Sequence, residues 1–227
     1  VLPAQGSGDN PSYQILSKQP VGVTVGHLAW NYPLGNASIK LAPSIAAGCT
    51  CIIKPSSEAP LATLYLGEIA ERIGFPKGVL NILSGPSGEV AKTLNESKIP
   101  RLIGLIGSYE TGLSVMRQGA TSVKKYSLEL GGNAPVVVMG DVDVEMCCAV
   151  EKHLKKVKLG SGKDEGDIMG PVINNDARSR ILELIDDAVK NGARLITGGE
   201  IPKGFEKGSY ITPALLADVN DSMRVSN

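Results

Sequence analysis

The residues best suited to chemistry lie at the end of an apolar run, in the segment Ser-Leu-Glu-Leu-Gly-Gly-Asn-Ala-Pro at positions 127–135. This run carries the carboxylate of Glu129 into a Gly131-Gly132 turn, where glycine allows positive φ and lets a ligand approach the main chain closely. A carboxylate held beside open backbone can act as a general base. A solvated glutamate at a strand end is the ordinary alternative, and this segment alone leaves both interpretations open.

Two further polar residues follow apolar runs in the same way. Ser108 comes before a helical pattern, where its hydroxyl and the free backbone N–H groups either receive a phosphate or simply cap the helix. Lys54 follows Thr-Cys-Ile-Ile and either pairs with phosphate or ribose oxygens or is solvated. Each residue is therefore a candidate binding residue with a structural alternative.

An alternation of strands and helices predicts how these residues are positioned. Apolar runs predict strands over 21–25, 50–54, 79–83, 101–106 and 123–130, and apolar residues at helical spacing predict helices over 37–47, 61–73, 89–94 and 111–118. This alternation is typical of parallel βαβ units with helices on both faces of the sheet. Open sheets of this kind bind ligands at the carboxyl ends of their strands, where Lys54, Ser108 and Glu129 are expected.

The flanking parts of the chain differ from this alternating region. Residues 1–10 are rich in Gly, Ser and Pro and are expected to be irregular, and a short extended piece is expected over 13–17. Towards the other end, a helix over 176–190 and a strand over 194–197 repeat the helix-then-strand pattern.

The charge balance and the cysteines exclude several classes of function. Lys plus Arg and Asp plus Glu both number 23, so no basic field favours a nucleic-acid or membrane partner. No apolar run is long enough to span a bilayer and no leader opens the chain, which predicts a cytoplasmic protein. The four cysteines match neither a disulfide framework nor a zinc-ligand spacing, so no metal is expected. Cys49 and Cys51 are expected to be buried free thiols.

A series of short motifs resembles the aldehyde dehydrogenase superfamily. In the family's order, the sequence contains Trp-Asn-Tyr-Pro at 30–33, Lys-Pro-Ser-Ser-Glu-Ala-Pro at 54–60, Gly-Ser at 107–108 and Leu-Glu-Leu-Gly-Gly-Asn-Ala-Pro at 128–135. Met-Gly-Pro-Val-Ile at 169–173 and Tyr-Ile-Thr-Pro-Ala-Leu-Leu-Ala-Asp-Val at 210–219 resemble later landmarks. The resemblance implies an α/β fold, with a Rossmann-like parallel-sheet cofactor domain followed by a smaller, incomplete α/β catalytic domain.

The resemblance implies an enzyme that oxidises an aldehyde to a carboxylic acid with NAD or NADP, through a cysteine thiohemiacetal and a thioester. Asn31 would donate its side-chain amide to the oxyanion, and Glu129 would act as general base toward the hydrolytic water, roles that suit an amide and a carboxylate. Lys54 would hold the adenosine ribose, Ser108 would meet the pyrophosphate and Leu130 would border the nicotinamide. The other implied cofactor-binding residues are Leu28, Trp30, Ser56, Ser57, Gly88, Gly107, Thr111 and Gly131.

The expected nucleophile is the point at which the sequence departs from the family. The Gly-Gln-x-Cys pattern that supplies the nucleophilic thiol is absent, and only Met-Cys-Cys-Ala-Val lies between 141–145 and the helix expected from Glu151. In one interpretation Cys147 is the catalytic cysteine, two residues before Ala149 as the family's Cys-x-Ala would place it. In the other, Cys147 and Cys148 fill apolar positions of a helix after Asp143, and the nucleophile loop is missing. The sequence is then either part of a longer chain or a truncated homologue.

The resemblance also suggests the cofactor, the substrate and the assembly. Ser57 stands where many NAD-preferring relatives carry an acidic residue, so NADP is expected to be tolerated, and the motifs favour the succinate-semialdehyde dehydrogenases with their acidic aldehyde. Residues 1–20 are expected to belong to an oligomerisation segment, 21–130 to the NAD(P)-binding domain and 131–227 to a partial catalytic domain. A homodimer or homotetramer is therefore expected. A catalytically inactive nucleotide-binding relative that acts as a scaffold, and an esterase using the same thiol, are the alternatives.

Overall fold

A computed structural model of the protein describes residues 2–5, 12–141 and 144–226. The chain divides into two compact units, Val1–Gly131 and Gly132–Asn227.

The first unit is built on a five-stranded parallel sheet. Its strands are β3 (Thr24–His27), β4 (Cys51–Lys54), β5 (Leu80–Ile82), β6 (Leu102–Gly107) and β7 (Lys125–Leu130), and they are ordered β5-β4-β3-β6-β7. The helices α1 (Pro33–Ala46), α2 (Leu61–Arg72), α3 (Ser87–Glu96) and α4 (Tyr109–Gly119) connect them. The predicted Rossmann-like α/β arrangement is confirmed, with the strand order reversing between β3 and β6.

The two faces of this sheet carry separate apolar cores. On one face, Val25 and Ile103 pack with Val115 of α4 and with Leu94 of α3. On the other face, Ile53 packs with residues of α1 and α2. Alternate residues of each strand point to opposite faces, so β3, β4 and β6 bury both of their sides, whereas β7 alternates exposed and half-buried residues.

The beginning of the chain corrects one expectation from the sequence. Composition predicts irregular structure over residues 1–10, but β1 (Leu2–Gln5) is a strand that pairs antiparallel with β2 (Ser12–Gln14). Pairing between strands that have no hydrophobic alternation depends on backbone hydrogen bonds, which composition does not reveal. Helix α1 also begins four residues earlier than the predicted Ala37, because Pro33 occupies its first turn, where a missing N–H costs nothing.

The second unit contains α5 (Val144–Leu154), α6 (Asn175–Lys190), the antiparallel pair β8 (Arg194–Thr197) and β9 (Leu215–Ala217), and a 3-10 turn at Arg224–Ser226. Among the described residues of this unit, Ala188, Ala193 and Met223 form one buried apolar cluster. The N-terminus of α6 is capped by Asn174, whose side-chain oxygen accepts the N–H of Ala177 at 2.9 Å. Across the described parts of both units, no helix has the length and apolar character needed to cross a bilayer.

Candidate functional site

A cleft of about 370 Å³ lies in the first unit, at the carboxyl ends of β3, β4 and β6. Because β3 and β6 flank the reversal of strand order, the loops after them diverge and leave a crevice between them. Seven of the residues implied to bind the cofactor line this cleft: Leu28, Trp30, Lys54, Ser56, Gly107, Ser108 and Thr111. The sheet therefore brings together side chains that lie up to 83 positions apart in the sequence.

Four other implied cofactor residues do not line this cleft. Ser57 is exposed on the loop that follows β4, and Gly88 is exposed in the first turn of α3. Leu130 ends β7 and packs its methyl groups over Gly112 of α4, where a Cβ would lie 3.0 Å from both of them. Gly131 is exposed directly after it.

Lys54 is buried at the edge of the cleft, so the solvated interpretation of this residue is wrong. Only 6% of it is exposed, and its Nζ donates a hydrogen bond to the carbonyl oxygen of Pro55 at 3.0 Å. Burial lowers the pKa of the Lys54 ammonium, because removal from water disfavours its charged form. A ligand that brings oxygen acceptors to this ammonium would offset that desolvation.

Ser108 is the N-cap of α4 and also lines the cleft. Its Oγ accepts the backbone N–H of Thr111 at 3.2 Å and lies 3.1 Å from the Thr111 hydroxyl. The capping interpretation is confirmed for the hydroxyl. It does not compete with anion binding, because a helix N-terminus has several backbone N–H groups and a positive end that attracts negative charge.

His27 is a buried residue of the cleft that the sequence did not single out. Its Nε2 donates to Oδ1 of Asn95 on α3 at 2.8 Å, and Nδ2 of Asn95 donates to Oε1 of Gln118 on α4 at 2.9 Å. Among the described residues, Nδ1 of His27 has no partner. Desolvation lowers the pKa of the imidazole, the bond to Asn95 opposes this shift and the nearby Lys54 charge adds to it. His27 is therefore held neutral, with one lone pair left unused.

Glu129 points to the α1 side of the sheet. It is exposed on β7 opposite Ile106, and Ser127 stands opposite Gly104 in the same register. Residues two apart on a strand share a face, so Ser127 and Glu129 lie on one side. On that side the Nζ of Lys40 donates to the carbonyl oxygen of Ser127 at 3.3 Å.

Lys40 is a second residue that the sequence analysis missed. Its stem crosses Gly26 of β3 and Gly104 of β6, where added Cβ atoms would lie 3.1 Å from it. Burial lowers the pKa of the Lys40 ammonium, and the Glu129 carboxylate acts in the opposite direction. Two facing glycines on paired strands were the only signal in the sequence, and they become meaningful only once the strand pairing is known.

Asn31 is exposed in the turn that leads into α1. The side chain of Asn36, one helical turn further on, donates to Oδ1 of Asn31 at 3.3 Å and to the carbonyl oxygen of Ala29 at 3.3 Å. Asn36 is itself 5% exposed. The position of the Asn31 amide is thus tied to the helix that follows it.

The cysteines divide between the two units. Cys49 and Cys51 are buried free thiols, as predicted, and burial raises the pKa of the Cys51 thiol, which suppresses its nucleophilicity. Cys147 and Cys148 both lie within α5, which is helical over its whole length. The side chains of these two cysteines are outside the described residues. A catalytic role for Cys147 remains a prediction.

Known proteins resemble this chain along nearly its whole length. A family model described as "Aldehyde dehydrogenase family" matches residues 4–151 and again residues 145–227. A glutarate-semialdehyde dehydrogenase of Pseudomonas putida is 34% identical over 93% of this chain and 50% of its own length. An NADP(+) succinate-semialdehyde dehydrogenase of Escherichia coli is 35% identical over 93% of this chain and 50% of its own length.

Solved structures give the same result for the fold. An NADP-dependent enzyme of Escherichia coli superposes with a TM-score of 0.86 at 33% identity, covering 92% of this chain and 50% of the other. The betaine aldehyde dehydrogenase of Staphylococcus aureus, solved with NAD+, gives 0.87 at 32% identity, with 92% and 48% covered.

The relatives are longer than this chain. The chain spans about half the length of the relatives it matches. The alignment to the Pseudomonas putida enzyme runs over 245 residues, more than the 227 of this chain, so that enzyme has residues with no counterpart here. Two overlapping family matches that together cover residues 4–227, and the shared fold, establish that the chain belongs to the aldehyde dehydrogenase family.

Proposed function

We propose that this chain binds NADP or NAD in the cleft at the carboxyl ends of β3, β4 and β6. One observation carries the proposal: a buried ammonium, Lys54, and a helix N-terminus, Ser108, line the same cleft at the reversal of strand order. A dinucleotide carries both ribose hydroxyls and a charged pyrophosphate, so its site needs hydrogen-bond donors for the first and positive charge for the second. The fold supplies both without the common glycine-rich fingerprint.

The lining of the cleft fits the parts of such a ligand. Backbone N–H groups at the start of α4 would receive the pyrophosphate, and the Lys54 ammonium would donate to ribose oxygens. Leu28, Ile106 and Val115 supply apolar surface to the same cleft. Ser57, on the loop after β4, carries no negative charge to repel a 2′-phosphate, which supports NADP as well as NAD.

The activity that we propose for the whole protein is oxidation of an aldehyde to a carboxylic acid. A cysteine thiolate adds to the aldehyde carbon, and the amide of Asn31 stabilises the oxygen that becomes negative. A nicotinamide ring bound in the site would accept the hydride that leaves this carbon, and loss of the hydride leaves a thioester. Glu129 then takes a proton from the water that attacks the resulting thioester, and the sulfur leaves as thiolate.

Lys40 supports the proposed role of Glu129. Its ammonium lies on the same face of the sheet and donates to the carbonyl oxygen of Ser127, and the Glu129 carboxylate opposes the lowering of the Lys40 pKa by burial. We assign Lys40 a positioning role and not a direct part in bond breaking.

Two candidate functions differ in whether the chain contains a cysteine that can supply the thiolate. Cys147 is the candidate within the chain, and its role is proposed on the family's Cys-x-Ala spacing. The family matches meet at 145–151, within α5, and the aligned relative is longer than this chain, which supports loss of the nucleophile segment. This observation favours a second candidate, a nucleotide-binding relative without turnover.

We extend the proposal to the substrate, the assembly and the domain roles. Their names favour a semialdehyde that carries a second, acidic group, such as succinate semialdehyde. We propose that residues 1–20 contribute to a homodimer or homotetramer through β1 and β2. Residues 21–130 would bind the cofactor and residues 131–227 would form part of a catalytic domain. The protein would act in the cytoplasm. A strictly monomeric mass by light scattering would overturn the assembly.

A dehydrogenase assay with cysteine mapping tests the proposed activity. The purified chain is given NADP or NAD with succinate semialdehyde or an uncharged aldehyde, and reduced cofactor is followed by absorbance. Turnover with preference for the acid, lost in Glu129→Gln and Cys147→Ser, supports oxidation through these residues. Nucleotide binding without turnover, and no iodoacetamide labelling of Cys147, supports the non-catalytic candidate.

A further inference from the structure

A buried amide in the first turn of α1 decides which way a neighbouring amide faces. Asn36 is 5% exposed and its Nδ2 has two protons, one donated to the carbonyl oxygen of Ala29 and one to Oδ1 of Asn31, each at 3.3 Å. Both acceptors lie in the turn that precedes the helix. The side chain therefore ties its own helix to the stretch that leads into it.

The backbone carbonyl fixes the orientation of both amides. A carbonyl oxygen only accepts, so Asn36 must present its NH2 group, and not its oxygen, to Ala29. The same NH2 group faces Asn31, so the Asn31 side chain must accept this hydrogen bond with Oδ1. Nδ2 of Asn31 is consequently not the atom that meets Asn36, and Asn31 as a residue is exposed.

We propose that Asn36 is a positioning residue that holds the Asn31 amide with its NH2 group outward, as an oxyanion donor requires. The proposal rests on the proposed function for the value of that orientation, but the orientation itself follows from hydrogen bonding alone. An amide free to rotate by half a turn would present oxygen to the oxyanion as readily as nitrogen. Asn36 removes that alternative before any substrate arrives, which is preorganisation of the donor.

Gly35 also contributes to the structure of this turn. The ring of Tyr32 packs directly over Gly35, and a Cβ there would overlap it. The backbone N–H of Asn36 donates to the carbonyl of Tyr32 at 2.8 Å. The turn is thus held by side chain, ring and backbone contacts from adjacent positions of α1.

Exchange of side-chain amide protons tests the orientation without any need for turnover. In the intact chain labelled with 15N-asparagine, the Asn36 NH2 resonances should be protected from exchange with water, and those of Asn31 should exchange rapidly. Asn36→Asp replaces the donor by an acceptor, so Asn31 should reverse its amide and donate to the new carboxylate. Its exchange should then slow by roughly fivefold to tenfold, the factor that one ordinary hydrogen bond supplies.

Asn81→Asp is the matched control, because Asn81 also donates from Nδ2 to a backbone carbonyl, that of Gly78 at 2.9 Å, but on β5. It should leave the Asn31 exchange rate unchanged. Equal exchange of Asn31 in the wild type and Asn36→Asp would overturn the proposal. If Asn36→Asp does not fold, exchange in the wild type decides, and an Asn36 amide as labile as that of exposed Asn81 would also overturn it.

Turnover separates this inference from the proposed function. If the chain oxidises aldehydes, Asn36→Asp and Asn31→Ala should each lower kcat by about 100-fold at unchanged cofactor affinity, and Asn36→Ala by less, since it leaves the amide free instead of reversed. Expected exchange results with no loss of turnover in Asn31→Ala would refute the role of Asn31 while leaving the orientation intact. Slower exchange of the Asn31 amide together with full turnover in Asn36→Asp would show that the orientation of this amide does not affect catalysis, and it would refute the proposed positioning role.

Discussion

The Lys40 ammonium on α1 donates a hydrogen bond to the carbonyl oxygen of Ser127 on β7 at 3.3 Å, across 87 positions of the sequence. The stem of the lysine passes over Gly26 and Gly104, which face each other on β3 and β6. Because Gly26 and Gly104 have no side chains, they leave a channel on the sheet that the Lys40 side chain fills. It ends on the strand that carries Glu129.

Filling this channel should destabilise the first unit. In Gly26→Ala, the new methyl group would lie 2.9 Å from Cδ1 of Ile53 and 3.1 Å from Cβ of Lys40. Such overpacking should lower the free energy of unfolding by about 1–3 kcal/mol in urea titrations. Gly67→Ala is the control, because its methyl group meets only Cδ1 of Ile82 at 3.5 Å inside α2, and it should stabilise by about 0.5–1 kcal/mol. Equal effects of the two changes would contradict the packing described here.

Ser108 should contribute to both folding and ligand binding. Ser108→Ala removes the cap on α4 and should lower the free energy of unfolding by about 1 kcal/mol, and it should also weaken NADPH binding at the same helix end. Asn174→Ala removes the equivalent cap on α6 in the second unit and should cost a similar amount. Fluorescence titration with NADPH should then separate the two variants. If Asn174→Ala weakens binding as much as Ser108→Ala, loss of stability and not the cleft explains the effect.

His27 should make stability depend on pH. Its pKa in the folded protein is lowered from the ordinary value of 6.5, so the unfolded chain takes up a proton first as the pH falls. The contribution of His27 to the free energy of unfolding should therefore be fully present above about pH 6.5. Below that pH it should be lost progressively, by no more than about 1.4 kcal/mol per pH unit. His27→Gln keeps a donor for Asn95 and should flatten the slope in urea titrations between pH 5 and 7.5.

His153→Gln, which removes the other imidazole of the chain from an exposed position, is the control for this experiment. The difference in slope between His27→Gln and His153→Gln then isolates the effect of removing the buried imidazole. An unchanged slope in His27→Gln would mean that other groups cause the pH dependence.

Much of the first unit could be predicted from periodicity. Every strand of the parallel sheet overlaps an apolar run, and each connecting helix overlaps a segment with apolar residues at helical spacing. The carboxyl ends of the strands also brought Lys54 and Ser108 to one cleft, as a parallel sheet requires. These features are local or follow from topology alone.

The contacts that orient side chains were not predictable in this way. Lys54 is followed by Pro-Ser-Ser, a sequence typical of an exposed loop, yet it is buried in a cleft that residues following β3 and β6 also line. The roles of Asn36 and Lys40 depend on a helix start at Pro33 and on strand pairing between β3 and β6. Single residues in the sequence carry no signal for such long-range pairs.

The binding of NADPH by a Lys54 variant is the most direct test of the nucleotide site. Lys54→Met keeps the length of the side chain but removes the buried ammonium, and titration by NADPH fluorescence should show a Kd raised by about tenfold or more, as expected for loss of a charged hydrogen bond. Lys92→Met, which removes an exposed ammonium on α3 that pairs with Glu96, should bind as the wild type does. Wild-type affinity in Lys54→Met, or no saturable binding by the wild-type chain, would contradict a nucleotide site in this cleft.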